Sequence, residues 1–195
     1  MVNRVNMAFG KYILYELNGA AKLAGDGFDP NVKLIKTFDS IKGNKLGITQ
    51  ESMDRVLSKN SDLFLCFDGD MPLGMMWGHR GSCYIRGPGI PLLYDEGTVY
   101  WFWIFTLPEA RGKNVFKRLT NSFFHHYKGA KNFVALVDPR NTIMRNQINK
   151  LGFIENKLYT YAKLGTNSLV FEKSVMAQQS SFHFESGNRH HLPVI

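Results

Sequence analysis

The chain has 195 residues, with 24 Lys and Arg against 16 Asp and Glu, a formal charge of +8. That length suits one domain able to bury about 70 per cent of its unfolded surface. Two cysteines, Cys66 and Cys83, are too few for a disulfide framework, and no apolar run approaches the ~20 residues of a membrane helix, which excludes both of those classes.

Taken in order, Met1 to Gly25 mixes Tyr12, Ile13, Leu14, Leu17 and Leu23 with Ala20 and Ala21, and reads as a helix or as a short strand followed by one. Lys11 and Glu16 interrupt its apolar stretch, so it does not read as a signal peptide, and a cytoplasmic location is expected. Gly25 to Pro30 is a turn cluster, and Val32 to Phe38 alternates as a strand does. Thr49 is placed to cap a short helix, Gln50 to Ser58, with Met53, Val56 and Leu57 inward. Asp62 to Phe67 and Met71 to Trp77, joined by Asp68-Gly69-Asp70, predict a β-hairpin. Gly78 to Gly97 is rich in glycine and reads as an irregular connection with a short strand at Cys83 to Arg86.

The most informative stretch follows. Val99 to Phe105 is seven consecutive apolar or aromatic residues, a strand buried on both faces. Pro108 stops it, because proline has no N–H for a ladder. From Lys113 to Tyr127 the spacing turns helical, with Val115, Phe116, Leu119, Phe123 and Tyr127 on one side. A buried strand that turns into a helix offers an anion the helix's unpaired N–H groups and the positive end of its dipole. Arg111 and Lys113 add full charges there, so the expected ligand is a phosphate or pyrophosphate. Residues 111 to 150 contain nine Lys or Arg and one acid, Asp138, and the rest of the chain carries 15 of each sign, so the whole positive excess lies in this stretch. Such a field suits a polyanionic cofactor; a basic nucleic-acid-binding face is the blander alternative.

Phe133 to Val137 reads as another buried strand, Thr142 to Lys150 as a helix capped by Asn141 and stopped by Gly152, and Ile154 to Leu164 and Leu169 to Lys173 as two further strands. A polar tail, 174–195, holds His183, His190 and His191, with no accompanying cysteine or spaced carboxylates to make a metal site.

Two motifs in this order resemble the GNAT superfamily of acyl-CoA-dependent N-acyltransferases. Pro108-Glu109-Ala110-Arg111-Gly112-Lys113 matches the family's phosphate turn, with Asn114 and Phe116 where it has glycines. Asp138-Pro139-Arg140-Asn141, followed by Asn149-Lys150-Leu151-Gly152-Phe153, is similar to its second motif, and the likeness covers Leu63 to Phe171. An aromatic at 116 and Ile148 in place of the usual tyrosine are similar to a branch found among bacterial polysaccharide and cell-envelope genes. The resemblance implies an α/β fold: a mixed, mainly antiparallel sheet with helices on both faces, opened after Thr106, in a single domain over 1–173. It implies transfer of an acetyl or longer acyl group from acyl-CoA, with no metal, to the primary amine of a small molecule or amino sugar. Backbone groups of Ile104, Phe105 and Thr106 would hold the pantetheine and acyl carbonyl. Arg111, Gly112, Lys113, Asn114, Val115 and Phe116 would hold the pyrophosphate, and Asn141 would sit close to the thioester. Some members use a glutamate near the start of the strand before the turn, which makes Glu96 the candidate base. Tyr159 and Tyr161 are candidates for the acid that Ile148 cannot supply. An acyl-carrier protein is a possible acyl source, and the oligomeric state stays open. The alternative is a degenerate, non-catalytic CoA-binding module, motivated by Asn114, Phe116 and Ile148.

Overall fold

A computed structural model of the chain describes residues 7–19, 27–41, 45–57, 60–85, 87–164, 167–175 and 180–185. Its strands in chain order are β1 (Met7–Asn18), β2 (Val32–Ile35), β3 (Ser61–Asp68), β4 (Met71–Arg80), β5 (Cys83–Ile85), β6 (Ile90–Leu92), β7 (Thr98–Thr106), β8 (Asn132–Val137), β9 (Ile154–Leu164), β10 (Asn167–Ser174) and β11 (Ser180–Glu185). The helices are α1 (Gln50–Leu57), α2 (Val115–His126) and α3 (Thr142–Lys150). The architecture is mixed α/β with mainly antiparallel strand pairs. The chain divides into two compact units, residues 18–81 with 95–133 and residues 1–17 with 82–94 and 134–195.

In the first of these units the strand order is β7-β4-β3-β2. The hairpin β3–β4 turns at Gly69, whose φ of +58° is one that glycine adopts without a steric penalty. Thr49 caps α1 as expected: its Oγ1 accepts from the Ser52 N–H at 3.1 Å, and Ser52 Oγ accepts from the Thr49 N–H at 3.0 Å. Helix α2 packs on β3 and β4, burying Val115, Leu119, Phe123 and Phe124. It lies close because β4 offers glycine at two positions on one face. A Cβ at Gly74 would stand 2.7 Å from Val115 Cγ1, and one at Gly78 would stand 2.7 Å from the Phe123 and Tyr127 rings. Phe123 meets Phe64, Trp101, Phe124, Tyr127 and Phe133 in offset or edge-on contacts, forming the core of this unit.

In the other unit the order is β11-β10-β9-β1-β8, and β5–β6 forms a separate hairpin. Here β1 takes up the strand alternative for the N-terminal stretch, and residues 20–26, where a following helix is expected, lie outside the described residues. It pairs antiparallel with β9 from Met7↔Leu164 to Glu16↔Ile154, and that partner overrides local preference. Gly10 leaves room for the Tyr161 ring, which a Cβ there would meet at 2.6 Å. Strand β6 completes a hairpin where the sequence suggested only Cys83 to Arg86, and Arg86 lies outside the described residues. Ser180–Glu185, read as part of a polar tail, forms β11 and pairs with β10 from Ser168↔Glu185 to Lys173↔Ser180. His190 and His191 lie outside the described residues. Among the described residues no helix is long and apolar enough to cross a membrane.

Candidate functional site

Strand β7 changes character along its length. Thr98 to Phe102 are buried, and then Trp103 and Phe105 are exposed. The register against β4 explains the change: Phe102 faces Trp77 and Phe105 faces Met75, leaving Trp103 and Ile104 opposite Met76. This is a β-bulge, which bends a strand and re-aims its side chains. Trp103 at the bulge has φ +44°, a region in which a bulky residue is an outlier, at a strain of about 1–3 kcal/mol.

Beyond the bulge the chain enters the turn. The Leu107 N–H donates to the Leu73 carbonyl at 2.9 Å, Pro108–Ala110 makes one 3₁₀ turn, and buried Ala110 pins it to the core. Arg111, Gly112, Lys113 and Asn114 are all exposed. Gly112 has φ +83° and Asn114 has φ +59°, ψ +20° at the N-cap of α2. Two left-handed residues two apart account for the helix starting at Val115 rather than at Lys113. The Asn114 side chain makes no capping bond. Among the described residues, the backbone N–H groups of Gly112, Asn114, Val115, Phe116 and Lys117 find no protein acceptor. Arg111 and Lys113 flank these donors, and the Lys113 ammonium lies 3.8 Å from Asp68 Oδ2 at a solvent-exposed pairing. Unpaired N–H groups with positive charge around them are the kind of arrangement that receives a phosphate, and this turn is the candidate cradle.

The side chains of the turn divide their work. Val115 is buried and packs over Gly74, leaving only its backbone for a ligand. Phe116 lays its half-buried ring on Trp101, centroids 5.9 Å apart and 29° between planes, which turns it toward the sheet and away from the cradle. One turn further on, Arg118 holds the beginning of the helix in place. Its Nε and Nη2 donate to Asp29 at 3.1 and 3.3 Å, while the Asp29 N–H donates to Ser122 Oγ. Burial pushes the Asp29 carboxyl up, but the Arg118 and Asn31 hydrogen bonds outweigh it and leave the carboxyl below its ordinary range. Neither partner of this clasp carries a sequence signature, because they lie 89 residues apart.

Glu96 is exposed in the turn before β7, and its carboxylate lies against Gly81. It stands two residues before Thr98, where β7 begins, and Trp103 at the bulge lies five residues further along that strand. Cys66 and Cys83 are buried free thiols. Burial pushes the Cys83 thiol up to about 12, so it is no thiolate nucleophile at neutral pH.

In the unit that contains it, Asn141 is the N-cap of α3: its Oδ1 accepts from the Met144 N–H at 3.0 Å, and its own N–H donates to the Asp138 carbonyl. This leaves the side-chain amide nitrogen available to a ligand. Gly152, φ +86°, ends the helix, and the Phe153 N–H returns to the Ile148 carbonyl. Ile148 is fully buried in the core. Tyr159 is also buried, and desolvation followed by Glu172 pushes its phenol up. Tyr161 is more open and stacks on Tyr12 at 6.0 Å and 16°. The network of Tyr15, Arg145 and Glu155, with hydrogen bonds of 2.6 to 3.0 Å, was not legible in the sequence.

No protein-family model matches the chain, and no curated protein matches it significantly. Among solved structures it is similar to a protein from Novosphingobium aromaticivorans described as an acetyltransferase of the GNAT family. The identity is 14%, the TM-score 0.60, and the match covers 83% of this chain and 66% of that one. A functionally unknown conserved protein from Staphylococcus epidermidis is similar at 10% identity and TM-score 0.56, over 82% of this chain and 63% of that one. A Drosophila protein is similar at 11% identity and TM-score 0.52, over 82% and 52%. The chain therefore spans less than two thirds of these structures' length. At such identities the likeness is one of fold, and the fold is GNAT-like.

Proposed function

We propose that the chain is an acyl-CoA-dependent N-acyltransferase acting on the primary amine of a small molecule or amino sugar. The observation that carries this reading is the turn from Arg111 to Lys117: two left-handed residues, Gly112 and Asn114, set out unpaired N–H groups between two cationic side chains. These donors fit a pyrophosphate, and the residues that would hold it are the amides from Gly112 to Lys117 with Arg111 and Lys113. Pantetheine would run back along Thr106, Phe105 and Ile104 toward the bulge, which supplies the change of strand direction that an acyl carbonyl needs. In direct transfer the amine nitrogen bonds to the acyl carbon, the carbon–sulfur bond breaks, the amine loses a proton and the departing thiolate gains one. Glu96 is the candidate base in this reading, with water as the alternative, and the amide nitrogen of Asn141 is assigned to the thioester by resemblance.

Isothermal titration with acetyl-CoA tests the binding half. Saturation at micromolar concentration is expected, and its absence overturns the reading. Thiol release across a panel of amines tests the transfer half. Ile148, which has no hydroxyl to offer at the acid's position, favours with Asn114 and Phe116 a second reading, a CoA-binding module without catalysis. Saturable CoA binding with no thiol release for any amine would establish that reading instead.

A further inference from the structure

The unit formed by residues 1–17, 82–94 and 134–195 contains a cavity of about 400 Å³. Its polar lining is Glu16 on β1, Tyr94 after β6, Asn156, Lys157 and Tyr159 on β9, and Glu172 on β10. These groups are held in place. The Tyr94 N–H donates to Ser82 Oγ at 2.9 Å and the Ser82 hydroxyl donates back to the Tyr94 carbonyl at 2.8 Å, while the Tyr94 phenol donates to Glu16 Oε1 at 3.0 Å. Tyr159 stands opposite Glu172 in the β9–β10 ladder and bonds to it. Burial pushes both phenols up, and Glu16 at Tyr94 and Glu172 at Tyr159 push them further, so both stay protonated donors at neutral pH. The charges, however, do not balance. In this unit Asp138, Glu155 and Glu172 pair with Arg140, Arg145 and Lys157 at 2.6, 2.9 and 2.8 Å. Half-buried Glu16 has no such cation among the described residues, only the Tyr94 hydroxyl, so Glu16 and Glu172 against Lys157 leave the cavity one negative charge in excess. That excess is local, since the chain as a whole carries +8.

We propose that this cavity binds an amino sugar, with its ammonium on the Glu16 carboxylate. Lys157 already brings an ammonium to Glu172 in the same space, and Glu16 lacks the equivalent. A divalent metal ion is a poorer match, because hard cations take six or more oxygens and the Lys157 ammonium competes for Glu172. The body of the ligand follows from the rest of the lining. Asn156, Lys157 and Glu172 offer donors and acceptors to hydroxyl groups, which a plain alkylamine would desolvate without replacing. On the apolar side are Leu92, Val170 and Leu93, the last 67% exposed and able to gain cover from the C–H face of a sugar ring. At roughly 30 Å³ per heavy atom the cavity holds about 13, and a hexosamine has about 12. That the bound sugar is the acyl acceptor rests on the acyltransferase reading; the site and its chemistry do not.

The direct test is isothermal titration of the full chain, without CoA, at about pH 6.5, where an amine is a cation. Glucosamine should saturate at millimolar concentration or below. Glucose and N-acetylglucosamine, which lack the cation, and hexylamine, which lacks the hydroxyls, should each bind at least about fivefold more weakly. Glu16→Gln keeps an acceptor for Tyr94 but removes the charge, and should weaken glucosamine about tenfold while leaving glucose unchanged. Lys157→Met frees Glu172 of its cation and should tighten glucosamine by about threefold, a direction that damage to the fold does not produce. Failure of glucosamine to saturate, equal affinity for glucose or hexylamine, or unchanged affinity in Glu16→Gln overturns the proposal. So does weaker binding in a Lys157→Met variant whose melting temperature is unchanged. Glucosamine binding without CoA binding would leave the site standing and remove the acyltransferase. Thiol release from acetyl-CoA with other amines, and no binding of glucosamine, would do the reverse.

Discussion

Asn114 shows how far a single backbone angle sets this site. Outside glycine, an L-residue at φ +59° is disfavoured by roughly 1–2 kcal/mol, and asparagine tolerates the region best. Asn114→Gly is therefore expected to keep or raise CoA affinity in titration, while Asn114→Ala should lower both affinity and thermal stability, by about 1 kcal/mol in the latter. Gly112 is a cleaner probe, since a Cβ there meets nothing within 4 Å yet φ is +83°. Gly112→Val should weaken CoA binding by obstructing the cradle, with a modest stability loss of about 1–2 kcal/mol from the angle alone. Equal CoA affinity in Gly112→Val and the wild type would place the phosphate site elsewhere. Phe116 sits half-buried on Trp101, so Phe116→Ala should reduce stability by about 2 kcal/mol, less than a fully buried ring would. The left-handed role of Asn114 was legible because it stands where the resemblance places a glycine. The strain at Trp103 was not. In V-Y-W-F-W-I-F every residue suits a strand, and a bulge arises from register against β4, which a single stretch does not encode.

At the scale of elements, the part of the chain that was legible is the part where local signals agree. For α3 the sequence supplies a cap, a helical period and a stop, and its boundaries, Thr142–Lys150, are those expected. For β9 the expected and observed limits also coincide. Strand β1 was legible only as one of two alternatives, because Tyr12-Ile13-Leu14 suits a helix equally well, and the ten-pair ladder to β9 decides. The two roles of Asn141 separate by substitution. Aspartate caps a helix as well as asparagine does but has no N–H to donate, so Asn141→Asp should retain the melting temperature and lose thiol-release activity. Asn141→Ala should lose activity and also about 1 kcal/mol of stability. If Asn141→Asp keeps full activity, Asn141 is a cap and nothing more. The packing of α2 on β4 has its own test. Gly78→Ala pushes a methyl group into the Phe123 and Tyr127 rings and should destabilise the chain by about 1–3 kcal/mol, measured by chemical denaturation.

For the molecule as a whole, net charge and half-buried ion pairs act in the same direction as pH falls. Each compact unit contains a half-buried carboxylate that is held ionised. In one, burial pushes Asp62 up, but hydrogen bonds from His126, Lys36 and Tyr127 outweigh it and hold the carboxyl far below its ordinary range. In the other, Glu155 is lowered chiefly by Tyr15 and then by Arg145. A carboxylate whose folded value is depressed stabilises the fold above its unfolded value, near 4, and that contribution is lost as pH falls toward the folded value. The formal +8 adds repulsion in the same direction as acids protonate. Stability is therefore expected to be flat near neutrality and to decline below about pH 4. Asp62→Asn leaves Tyr127 and Lys36 without their charged acceptor, so it should lower stability at pH 7 by about 1–3 kcal/mol and make the acid decline shallower. Urea denaturation of both proteins at pH 7 and pH 3 measures each quantity. If the variant and the wild type lose the same stability between those two pH values, Asp62 is not the group that titrates, and the acid response belongs to the Tyr15–Arg145–Glu155 network or to net charge alone.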